Sequence, residues 1–104
     1  MKILLVGAGG VGSAFAKIAA RRSFVERLVV ADIDAGRASA AEASFGERGT
    51  GVALDASDRA AVAALARAEG VDVVMNAADP RFVMPLFDAA LDAGTHYVDM
   101  AMSL

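Results

Sequence analysis

Met1-Lys2-Ile3-Leu4-Leu5-Val6-Gly7-Ala8-Gly9-Gly10-Val11-Gly12 opens the chain, and the reading of this stretch decides the fold. Ile3 to Val6 is a continuous apolar run with no polar alternation, as expected of a parallel strand covered on both faces. It leads into glycines at positions 7, 9 and 12, the Gly-x-Gly-x-x-Gly spacing of a strand-to-helix turn. Gly7 lets the chain leave the strand tightly, Gly9 removes a side chain where backbone approaches a diphosphate, and Gly12 lets the following helix press on the strand. The first amides of that helix have no partner within it and its dipole is positive there, so an anion is stabilised without a lysine. A glycine-rich turn also has a purely structural use. The dinucleotide reading gains from context: an amphipathic pattern follows, and the next apolar run ends on an acid, Asp32, 20 residues beyond Gly12.

A chain of 104 residues makes one small domain. The hydrophobic share is 57%, yet alanine carries much of it and the strongly apolar runs are strand-sized, so no membrane span and no secretory leader are expected, and the cytoplasm is the default compartment. There is no cysteine, which excludes disulfides, thiolate metal sites and a cysteine nucleophile. The net charge of -3 is scattered, with no basic stripe for nucleic acid.

Beyond Gly12, the positions Val11, Ala14, Phe15, Ile18 and Ala19 recur at helical spacing, predicting a first helix that ends near Arg22 with these residues inward. Leu28 to Ala31 reads as the second strand, stopping at Asp32. A carboxylate there accepts both adenosine ribose hydroxyls in a dinucleotide fold and repels a 2′-phosphate, favouring NAD over NADP, with Arg37 nearby as a complication. The alternative is that Asp32 or Asp34 caps the helix predicted over 35–46. A loop over 47–51 precedes a brief third strand at Val52 to Leu54, ending at Asp55. Asp55-Ala56-Ser57-Asp58 opens a helix through Ala68; Asp55 and Ala56 either meet the adenine or serve the helix start. Val71 to Met75 is the fourth strand, and Asn76-Ala77-Ala78 follows it, with small residues suited to a ligand lying close and Asn76 able to donate and accept toward the ligand or toward loop backbone. Pro80 marks a helix start, and Phe82 or Val83, Leu86, Phe87, Ala90 and Leu91 form a helical stripe expected to pack in the core, with Pro85 within the first turn or so. Tyr97 to Met100 is the fifth strand, and His96 has no companion that would make a metal site.

The alternation of strand and helix implies an α/β fold of the Rossmann type: a doubly wound parallel sheet of five strands in order 3-2-1-4-5, with the ligand crevice where the order reverses. The residues Ile3 to Gly12, Ala31-Asp32, Leu54 to Asp58, Val74 to Ala78 and Ala93-Gly94-Thr95-His96-Tyr97-Val98-Asp99 together resemble the amino-terminal nucleotide-binding domain of saccharopine dehydrogenase-like enzymes. The resemblance covers nearly the whole chain. It implies NAD(P)-dependent hydride transfer at an amine-bearing carbon, and cofactor contacts at Gly7, Gly9, Gly10, Val11, Gly12, Asp32, Asp55, Ala56, Asn76 and Ala77, with no catalytic or metal-binding residue carried over. Many members of that family use NADP, from which Asp32 departs.

Such enzymes continue into a sixth strand and a substrate domain, so residues 1–104 are expected to be the amino-terminal part of a longer oxidoreductase, truncated relative to it and inactive on their own. Apolar surface beside the fifth strand would then favour a homo-oligomer. A rival reading is a regulatory NAD(H)-sensing domain resembling those that gate potassium transport, which share the glycine turn, the acid after strand two and an Asp-Ala-Ser-Asp-like segment; the stretch from Asn76 to Asp99 suits the dehydrogenase resemblance better.

Overall fold

A computed structural model of the chain describes residues 1–99. Five strands, β1 (Lys2–Val6), β2 (Arg27–Asp32), β3 (Gly49–Ala53), β4 (Val73–Asn76) and β5 (His96–Asp99), alternate with four helices, α1 (Gly10–Ala19), α2 (Ala35–Phe45), α3 (Arg59–Glu69) and α4 (Val83–Ala93). Short 3-10 turns at Gly46–Arg48 and Pro80–Phe82 complete the described elements. All strand pairs are parallel and the sheet order is β3-β2-β1-β4-β5, as the alternation predicts.

The unbroken apolar runs of β1 and β2 are explained by burial on both sides. Leu4, Val6, Val29 and Ala31 face a core completed by α3 and α4, whereas Ile3, Leu5, Leu28 and Val30 face a second core completed by α1 and α2. Helix starts follow local chemistry. Asp34 caps α2 by accepting the N–H groups of Gly36 and Arg37, and Asp58 caps α3 by accepting that of Ala61. Gly70 and Gly94 close α3 and α4, and Pro85 falls in the first turn of α4, where no intrahelical N–H bond is lost. Among the described residues, no helix is long and apolar enough to cross a membrane.

Several boundaries and faces differ from expectation. Helix α1 ends at Ala19, short of Arg22, and turns Gly12, Ala16 and Ala19 inward, leaving Val11 and Ile18 54% and 56% exposed. The cause is close packing: the face with the smallest residues is the one that can approach β1. Helix α4 repeats this, burying Leu86, Ala89 and Ala90 while Phe87 and Leu91 are exposed. Strand β3 begins at Gly49, within the stretch read as a loop, and ends at Ala53 rather than Leu54. A side chain at Gly51 would put its Cβ 2.6 Å from the Ala38 carbonyl oxygen, so small residues here let α2 lie on the strand. Strand β4 starts two residues late because the Val71 N–H turns back to the Ala66 carbonyl to close α3. Strand β5 starts at His96, and Met100, expected in it, lies outside the described residues.

Arg48 fastens the end of α1 to the start of β2. Its guanidinium donates to the Ala20 carbonyl at 2.9 Å and the Val25 carbonyl at 2.6 Å, and stacks over the Phe45 ring at 4.7 Å. Arg48→Ala is expected to lower unfolding stability by about 1–2 kcal/mol, read from the urea midpoint, because water replaces only part of these charge-assisted bonds.

Candidate functional site

The turn after β1 is built by two close approaches. Gly7 sits at φ +101°, where a side chain is strained, and an added Cβ would lie 2.8 Å from the Ala78 nitrogen. A Cβ on Gly12 would land on the Gly7 carbonyl oxygen, so α1 can start here only if residue 12 has no side chain. Gly9 is different: a Cβ there would meet nothing within 4 Å. It stands as the N-cap of α1 with no side chain to serve the first turn, and the first intrahelical bond is from the Ser13 N–H to the Gly9 carbonyl. The amides of Gly10, Val11 and Gly12 therefore point out of the helix end toward whatever occupies the space over Gly9. That open space beside uncapped amides fits a diphosphate, which needs donors and a backbone it can approach.

A cavity of about 330 Å3 opens at this end of the sheet, where the strand order reverses between β1 and β4. Of the residues singled out from sequence, Gly7, Gly9, Asp32, Asp55, Ala56 and Ala77 line it. Gly10, Val11 and Gly12 form the adjoining helix turn, and Asn76 is fully enclosed, 0% exposed.

Asp32 is 7% exposed, and both of its carboxylate oxygens are engaged: Oδ2 accepts the Ala8 N–H and Oδ1 the Asp34 N–H, each at 2.8 Å. It is thus not the cap of α2, which is Asp34; it ties the glycine turn to the end of β2. Each oxygen keeps a second lone pair, so the carboxylate can still accept from hydroxyls in the cavity. Asp55 accepts the Ser57 hydroxyl at 2.7 Å and the Ser57 N–H at 2.9 Å, which hold its carboxyl below the usual range, with the Arg81 guanidinium adding to the effect. It is a carboxylate at neutral pH, and it serves the turn before α3 as well as the cavity wall.

Sequence reasoning missed the cationic rim. Arg81 lines the cavity beside Phe82, over whose ring its guanidinium sits at 4.8 Å, and Arg37 lines it from α2. From sequence Arg37 stands only as a neighbour of Asp32; the signal for Arg81 is that it follows Pro80 in the 3-10 turn just past the end of β4, on the ligand side of any such sheet. Their carboxylate partners are loose, Asp34 at 3.9 Å and Asp79 at 4.0 Å, so both guanidinium groups can turn inward. Among the described residues, no three His, Asp or Glu side chains gather as metal ligands.

Solved structures share this architecture. Apo saccharopine dehydrogenase (L-Glu forming) from Saccharomyces cerevisiae is 21% identical, with a TM-score of 0.82 over 99% of this chain and 22% of that one. The dTDP-glucose 4,6-dehydratase of Bacillus anthracis in complex with NAD is 14% identical, with a TM-score of 0.78 over 95% of this chain and 36% of that one. Quinate dehydrogenase from Corynebacterium glutamicum in complex with NAD is 28% identical, with a TM-score of 0.59 over 93% of this chain and 43% of that one. The chain thus spans less than half the length of each. No curated protein matches the sequence. The sequence pattern of one domain family does match, from residue 3 to residue 104, and by it the chain belongs to the saccharopine dehydrogenase NADP binding domain family.

Proposed function

We infer that this domain binds a nicotinamide dinucleotide and serves as the nucleotide-binding part, residues 1–104, of a longer saccharopine dehydrogenase-like oxidoreductase that moves hydride at an amine-bearing carbon. The observation that carries the reading is the open space over Gly9 beside the uncapped start of α1, at the mouth of a cavity bounded by Asp32. The amides of Gly10, Val11 and Gly12 would hold the diphosphate, and Asp32 would accept the adenosine ribose hydroxyls. Asp55 and Ala56 border the adenine, and Ala77 presents a small surface beside the turn. Asn76 contributes through the loop that it holds rather than by touching the ligand, since it is wholly buried. NAD is the favoured form because Asp32 carries negative charge where a 2′-phosphate would lie; Arg37 and Arg81 supply cations that also admit NADP. This chain's residues bind and orient the cofactor, which supplies the hydride when bound, while the groups that hold the amine substrate belong to the rest of the enzyme.

Gly9→Ala separates ligand from fold. Its extended backbone at φ -74° accepts an alanine and the added methyl meets no protein atom, so unfolding stability should fall only by the roughly 0.5–1 kcal/mol that alanine costs in place of glycine at an N-cap. Calorimetric titration should show NADH affinity falling by about tenfold or more, because the methyl occupies the space that the diphosphate needs. Unchanged NADH binding by this variant, or none by the unaltered protein, would sink the reading.

A further inference from the structure

The enclosed amide of Asn76 must find its partners inside the protein. Its Oδ1 accepts the Ala78 N–H at 2.9 Å, fixing the loop that leaves β4, and its Nδ2 donates to the Tyr97 hydroxyl at 3.1 Å. Tyr97 lies one strand over, opposite Val74 in the β4–β5 ladder. The Asp99 carboxylate acts electrostatically on its hydroxyl, and its ring meets Phe87 edge-on at 5.7 Å. Burial, above all, pushes the phenol above its ordinary range, so the hydroxyl remains a neutral donor.

What this chain of bonds holds is the backing of the glycine turn. The Ala77 N–H bonds the Val6 carbonyl at 2.8 Å, and the Ala78 nitrogen is the atom nearest to where a Gly7 side chain would begin. On the other side, the Gly7 N–H bonds the Ala31 carbonyl at 2.8 Å. The turn is therefore clasped between the ends of β2 and β4, and the β4 side of the clasp is braced from β5.

We propose that Tyr97 is a positioning residue for the dinucleotide site: acting through Asn76, it holds Ala77 and Ala78 against Gly7 and so sets the turn that meets the diphosphate. This rests on the dinucleotide reading above. Tyr97 lines no part of the cavity itself, so its effect on a ligand must pass through the loop. The hydroxyl is the part that matters, because the ring has its own packing against Phe87.

Tyr97→Phe keeps the ring and leaves Asn76 Nδ2 without its acceptor. The Kd for NADH, measured by calorimetry far below the unfolding temperature, should rise about threefold to tenfold, the range that one lost hydrogen bond spans. The Ala78 amide should exchange with deuterium faster relative to that of Val30 in the core. Asp99→Ala, at an exposed position that leaves the core intact, should give a smaller rise of about twofold and carries the test should Tyr97→Phe fail to fold. A purely structural tyrosine would lower the unfolding midpoint and leave the Kd unmoved, since nearly every molecule is still folded; that result overturns the proposal. Failure of the underlying reading looks different: the unaltered protein would bind neither NADH nor NADPH, and the proposal would fall with it.

Discussion

Gly12→Ala should cost this domain about 3 kcal/mol of unfolding stability and abolish measurable dinucleotide binding, the largest joint effect of any single methyl group in the chain. The added carbon would be forced onto the Gly7 carbonyl oxygen, which is backbone and cannot swing aside as a flexible side chain would. Relief requires α1 to lift from β1, opening the core in which Ala16 and Ala19 pack against Ile3 and Leu5. Lifting α1 also carries the amides of Gly10 and Val11 away from the cavity. Chemical denaturation and calorimetry on the same sample test both halves; a variant with native stability would mean that the helix start is not pinned by this contact.

The second large effect is expected at Asp32. Asp32→Ala removes the acceptor for two backbone N–H groups, that of Ala8 in a buried setting, and should destabilise the fold by about 2–4 kcal/mol. Binding should change in a cofactor-dependent way. If Asp32 holds the ribose as proposed, NADH would lose that acceptor and should weaken by about tenfold or more, whereas NADPH would also escape a like charge and should weaken less. Asp32→Asn keeps one side-chain oxygen but turns an NH2 group toward the other amide, so its stability cost should fall between those of the wild type and the alanine variant. Equal losses for NADH and NADPH would remove the carboxylate from any part in choosing between them.

The two central strands were legible because burial on both faces leaves an unmistakable trace: Ile3 to Val6 and Leu28 to Ala31 carry no polar residue. Strand β3 was not, since Gly49-Thr50-Gly51 has the composition of a turn and its strand character comes from pairing with β2 while α2 presses close. Helix faces were legible only to within a rotation. An apolar stripe through Val11 and Ile18 and a small-residue stripe through Gly12, Ala16 and Ala19 are both present in α1, and contact distance, which the sequence does not display, selects the second. At the site, the spacing of the glycines and the placing of Asp32 at a strand end could be read directly. The bonds from Asp32 to Ala8 and from Asn76 to Tyr97 join residues 24 and 21 positions apart, and only the assembled sheet brings those atoms together.

The contrast among the glycines bears on how the motif should be used as a marker. Gly7 and Gly12 are demanded by the backbone itself, so a descendant that had lost every ligand would still be held to them by selection for a foldable chain. Gly9 answers to no neighbour within 4 Å, and drift would be free to fill it once binding ceased to matter. Within this lineage, a retained middle glycine is the better witness of a working pocket than the two that flank it.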